Sequence, residues 1–198
     1  PFDLSREVHT ELLWAFEGIT SYYDDLSLAR TGLIRPESYL QLLGQTLTRV
    51  ARGQGRFKQT VTESSFDAWT RFYKQDENAP NAIVSYYAKG SLVALALDLT
   101  LRERTNDTRS LDDLMRLLWQ RYGETGVGVP EQGIQALAEE VAGQDLSDFF
   151  NLALYRTDDL PLETLLADRG VTLHWRSAEG HGDNGGTPGK GAVPVHLG

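Results

Sequence analysis

Two short stretches carry the side chains best suited to chemistry. The first is LLWAFEGITSYYDDL, residues 12–26, where Glu17 and Gly18 sit among tryptophan, phenylalanine and isoleucine. A carboxylate is costly to bury unless a cation or several donors meet it. A glycine inside a helix costs roughly 1 kcal/mol relative to alanine. Together they suggest a metal-binding carboxylate beside a point where another backbone or a substrate comes close. The plainer reading is a partly exposed helix carboxylate paired with an arginine. Thr20 and Ser21 follow on the same stretch as candidate cleft or supporting residues. The second stretch is Ser85-Tyr86-Tyr87-Ala88-Lys89-Gly90. A tyrosine there can donate its phenolic proton to a developing oxyanion. The alternative is an aromatic pair packed in the core, with Lys89 snorkelling to water.

These residues need elements to position them, and the dominant period is helical. Leu4, Val8, Leu12, Ala15, Phe16, Ile19, Tyr23 and Leu26 recur at spacings of three and four, predicting one long helix over residues 3–31 closed by Gly32. On such a helix His9 would share a face with Glu17. Pro36-Glu37 opens a second helix reaching Arg52. Residues 56–63 read as a short strand or an extended loop. Ser64-x-x-Asp67 has capping-box form and opens a short aromatic helix through Phe66, Trp69 and Tyr73. Ile83–Leu101 carries only Lys89 and Asp98 as charges and reads as a central buried helix. Further helices start at Ser110, Pro130, Asp145 and Pro161, with Gly123, Gly143 and Gly170 as stops. Val171–Trp175 alternates and is β-branched, as a strand would be. The fold class is therefore all-α, about seven helices with one short strand. The predicted domains are a helical body over 1–176, a Gly-rich linker over 177–190 expected to be disordered, and a strand-like segment over 191–198.

Composition narrows the functions. A formal charge of −9 with no arginine-rich run argues against nucleic acid as a partner. No apolar run is long enough to span a membrane. Without cysteine there is no disulfide framework, thiolate zinc site or cysteine nucleophile, and cytoplasm and periplasm fit equally well. Phosphate loops, G-x-S-x-G elbows and calcium loops are likewise missing.

The order Trp-x-x-Glu-Gly-x-x-x-Tyr, then Tyr-x-Lys-Gly, resembles the thermolysin-like zinc aminopeptidases. Four blocks narrow the likeness to the glycyl-aminopeptidase family: LLWAFEGITSYYDDL, SSFDAWTRFY, VSYYAKGSLVALALDLTLR and SLDDLMRLLWQRYG. The resemblance implies a thermolysin-like C-terminal helical domain, a peptide substrate and zinc as cofactor. It also implies Glu17 as the third zinc ligand and Tyr87 as the tyrosine that stabilises the tetrahedral intermediate, with Tyr86 adjacent. Gly18 corresponds to the close-approach position. In the family a PDZ-like domain follows, and AVPVHLG would suit its first strand. The H-E-x-x-H pair that supplies two imidazoles and the general base is missing from this sequence. The expectation is a segment beginning just after that helix, inactive alone, holding no zinc stably and prone to self-association through the uncovered face. The competing expectation is a non-enzymatic helical interaction domain that keeps a peptidase-like fold.

Overall fold

The computed structural model describes residues 5–187. Among them nine α-helices form and no strand does. Two helices dominate. The helix α1 (Leu13–Arg30) lies across α5 (Ala88–Arg104), and this is the most extensive packing between any two elements. Every residue of α5 from Ala88 to Leu101 is buried, which its apolar sequence anticipates. Around it pack α2 (Pro36–Arg52) and α9 (Leu162–Ala167) on one flank, and α6 (Leu111–Leu118) and α7 (Gly133–Ala142) towards its C-terminal end. A short α3 (Val61–Phe66) bridges α1 and α8 (Ser147–Tyr155), and a single turn, α4 (Ala79–Ala82), precedes the entry to α5.

Local signals explain many of the boundaries. Pro36 occupies the first turn of α2, where its missing N–H has no cost. Ser110 and Asp113 form the anticipated capping box on α6. Past the end of α1, Gly32 adopts φ +75°, the left-handed conformation that terminates a helix.

Four expectations are corrected. The first helix starts at Leu13, not near residue 3, because tertiary partners claim the chain before it. The Thr10 hydroxyl and the Glu11 N–H both donate to Glu131, at 2.7 and 3.0 Å, and the Trp14 N–H donates to the Ser65 hydroxyl of α3 at 3.0 Å. His9 is thus off the helix, exposed, with Nδ1 2.9 Å from the Phe66 carbonyl. The capping box of α3 is Thr60–Glu63 rather than Ser64–Asp67. Ser64 lies inside the helix and donates to the Val84 carbonyl at 2.5 Å. Residues 56–63, read as a strand or loop, hold a 3-10 turn ending at Phe57 and the start of α3.

Val171–Trp175 is irregular and has no ladder partner among the described residues. Its alternation instead lays Val171 and Leu173 onto the helical core. The Gly-rich segment is held in place through residue 187. Asp183 receives Arg176 and the N–H groups of Glu179 and Gly185, while Gln41 of α2 accepts from the Thr187 N–H at 2.6 Å. Two glycines permit this docking: a Cβ on Gly44 of α2 would stand 2.9 Å from the Gly186 backbone, and Gly186 has φ +79°. The rest of the expected linker and the strand-like segment 191–198 lie outside the described residues.

Candidate functional site

The site begins at a glycine facing a glycine. A Cβ on Gly18 would lie 2.5 to 2.8 Å from three backbone atoms of Gly90, and one on Gly90 would lie 2.9 Å from the Trp14 carbonyl oxygen. No side chain fits between the helices there, so α1 and α5 meet backbone to backbone. That contact accounts for Gly18 in an apolar helix, and it supplies the close approach the sequence suggested.

Glu17 borders this contact on α1, and Tyr87, three residues before Gly90, opens α5 on the same side. The two side chains meet. The Tyr87 phenol is pushed up to about 12 by burial first, then by its hydrogen bond with Tyr73 and the negative charge of Glu17. A phenol so raised keeps its proton throughout the neutral range and remains a donor. Both residues stay half exposed, open to a ligand from one side. Among the described residues no lysine or arginine forms an ion pair with Glu17.

Tyr86 has a different place. It is fully buried, packs at a tilt against Phe72 with ring centroids 4.6 Å apart, and its hydroxyl donates to that of Tyr73 at 3.3 Å. It is a packing residue that holds Tyr87, whose ring it faces at 4.8 Å. Thr20 is exposed and donates to the Phe16 carbonyl at 2.5 Å, a bond internal to α1. Ser21 is half-buried one turn beyond Glu17, so of the two hydroxyls it lies nearer the carboxylate's side of the helix.

Two participants escaped the sequence reading. Tyr73 links to both tyrosines at the head of α5, yet it comes from a separate loop and no local spacing points to it. Lys89 was expected to reach water. It is instead 3% exposed, and its Nζ has no hydrogen-bond partner. Burial lowers its affinity for a proton.

As a metal centre the arrangement is partial. Among the described residues no three histidine, cysteine, aspartate or glutamate side chains converge on one point. Glu17 offers one carboxylate where a catalytic zinc takes three protein ligands, so these residues do not by themselves fit the ion. What they provide together is an unpaired carboxylate beside a protonated phenol.

Residues 1–93 match the M61 glycyl aminopeptidase family. Among solved structures, the chain is similar to an aminopeptidase N family protein from Idiomarina loihiensis, at 45% identity and a TM-score of 0.92. That match covers 96% of this chain and 32% of the other, so the chain spans about a third of its solved relative's length. None of the curated proteins matches it.

Proposed function

We propose that this chain, similar over residues 1–93 to the M61 glycyl aminopeptidase family, forms the part of a zinc aminopeptidase catalytic domain that supplies Glu17 as a carboxylate ligand and Tyr87 as the oxyanion donor. The observation carrying this reading is the Gly18–Gly90 contact, which brings an unpaired carboxylate and a protonated phenol from distant parts of the chain to one edge. Zinc in such sites polarises the scissile carbonyl and activates water. The remaining ligands and the general base would come from outside the described residues, and the chain alone hydrolyses nothing.

The roles of this chain's own groups follow from their chemistry. The Tyr87 hydroxyl carries a proton over the whole working range and offers it as a hydrogen bond to the oxygen that gains charge as the peptide carbonyl becomes tetrahedral. Phe72 and Tyr86 fix the ring's orientation, so the donor is in place before the reaction starts. Glu17, with no competing cation, is left free to act as a ligand. The preference for an N-terminal glycine belongs to the same proposal.

The test uses the full-length protein that carries this segment. Tyr87→Phe should lower kcat by about 10²–10³-fold with KM little changed. Glu17→Gln should remove bound zinc, read by elemental analysis. A panel of aminoacyl p-nitroanilides should favour the glycyl compound. Full activity in the Tyr87→Phe enzyme, or stoichiometric zinc in the Glu17→Gln enzyme, would overturn these assignments.

A further inference from the structure

On the opposite flank of α5 from Glu17 lies a cavity of about 540 Å³. Its walls come from α2, the 3-10 turn at Arg56, the loop before α9, α9 itself and the extended segment through Trp175. Most of the lining is apolar, with Leu47, Val50, Leu92, Leu160, Leu173 and the Trp175 indole prominent. Such a volume and lining are typical of small-molecule sites.

Its charged groups are unequal. Arg56 is paired: Nε and Nη2 donate to Asp159 at 2.9 and 3.2 Å, and Nη1 to the Ala51 carbonyl at 3.0 Å. Glu163 accepts from the Trp175 indole at 2.6 Å. Lys89 belongs to the same wall, and its buried Nζ has no hydrogen-bond partner among the described residues, the carboxylates of Asp159 and Asp158 acting on it only through their charge. An isolated buried ammonium is among the most costly groups a protein can carry, so a site that keeps one invites an anion. The flexible four-carbon stem lets the nitrogen turn into the cavity to meet it.

We propose that this cavity is a binding site for a small monocarboxylate carrying an aliphatic or aromatic tail, with the carboxylate on Lys89 and the tail against Leu47, Val50, Leu92, Leu173 and Trp175. One cation without a partner balances one negative charge. A phosphate or dicarboxylate would bring a second negative charge towards the carboxylates of Asp159 and Glu163. The site is separate from the Glu17–Tyr87 edge and does not depend on any peptidase role.

Calorimetric titration of the 198-residue chain with sodium 4-phenylbutyrate and with neutral 4-phenylbutanamide tests this. The acid should bind at least about tenfold more tightly than the amide. Lys89→Met keeps the stem and removes the charge, and it should bring the acid down to the affinity of the amide. The acid–amide difference in the unaltered chain stands whether or not the variant folds. Equal affinities for acid and amide, an unchanged acid affinity in a folded Lys89→Met chain, or no binding of the acid up to about 10 mM would each overturn the proposal.

Discussion

Asp98 and Lys89 are buried ionisable side chains on the same helix, and their surroundings treat them in opposite ways. Asp98 is 4% exposed and accepts three hydrogen bonds: the Tyr22 hydroxyl at 2.8 Å, the Arg102 Nε at 3.1 Å and the Leu111 N–H at 2.7 Å. It ties α1 to α5 and holds the first N–H of α6. Its charge and burial together keep the Tyr22 phenol protonated far above the ordinary range, burial being the larger cause. Lys89 is as deeply buried, and among the described residues its Nζ has no hydrogen-bond partner. Burial of charge therefore does not distinguish structure from function in this protein. The inventory of partners does: a charge surrounded by donors is part of the frame, and one facing an apolar cavity is a vacancy in the hydrogen-bonding scheme.

The comparison can be broken most forcefully at Asp98. Asp98→Ala leaves a buried phenol, a backbone N–H and a guanidinium without their acceptor. Urea unfolding should show a loss of about 3–5 kcal/mol. A loss below about 1 kcal/mol would mean the network contributes little, and the contrast with Lys89 would disappear.

Gly18→Ala comes next. Its Cβ meets Gly90 backbone, which cannot move aside as a side chain can. Alanine's better helix propensity offsets up to about 1 kcal/mol, so the net destabilisation should be about 1–3 kcal/mol. The diagnostic result is coupling. Tyr22 reaches Asp98 from α1, so parting the helices weakens that bond, and Gly18→Ala with Asp98→Ala should be non-additive. Paired with Arg121→Ala, whose exposed ion pair with Glu140 involves neither α1 nor α5, the same substitution should be additive within about 0.5 kcal/mol. Additivity in both pairs would separate the helix crossing from the Asp98 network.

A smaller effect is expected at Ser65, whose hydroxyl caps α1 from another helix. Ser65→Ala should cost about 1 kcal/mol by the same unfolding measurement, the usual magnitude for a lost N-cap. No change would indicate that the start of α1 is held by Glu131 and its two bonds alone.

These residues also separate what the sequence disclosed from what it could not. Gly18 was legible because a glycine in an apolar helix signals close approach whatever the partner is. The Ser110–Asp113 box and the Gly32 stop were legible because both ends of each device lie within a few residues. The pairing of Glu17 with Tyr87 came from resemblance. Periodicity alone could not have joined residues seventy positions apart in sequence. The start of α1 was misread because its cap, Ser65, sits on another helix. Alternation at 171–175 suggested a strand because packing onto helices and packing onto a sheet call for the same two-residue period. Lys89 was misplaced for the most general reason: snorkelling is decided by what lies beyond the side chain's tip, and here α9 and the segment through Trp175 wall off a cavity on that side.

The smallest effect, and the one of opposite sign, belongs to Lys89→Met. Removing an unpartnered buried ammonium while keeping its apolar stem should stabilise the chain, by on the order of 1 kcal/mol at neutral pH. The pH dependence makes the sign unambiguous. Burial lowers the folded-state pKa of Lys89 from 10.5, with Asp159 and Asp158 opposing that shift and Arg56 adding to it. Between the lowered value and 10.5 the unfolded chain holds a proton that the folded chain does not, so wild-type stability from this group rises with pH across that window. Below the window both states are protonated and the penalty is constant and full. The advantage of Lys89→Met should accordingly be largest in mildly acidic solution and vanish as the pH approaches 10.5. Saturating 4-phenylbutyrate should narrow the same gap, because only the unaltered chain gains a counter-charge. Denaturation curves at about pH 6 and about pH 10, each with and without the acid, distinguish a lysine that awaits an anion from one whose penalty the fold merely tolerates.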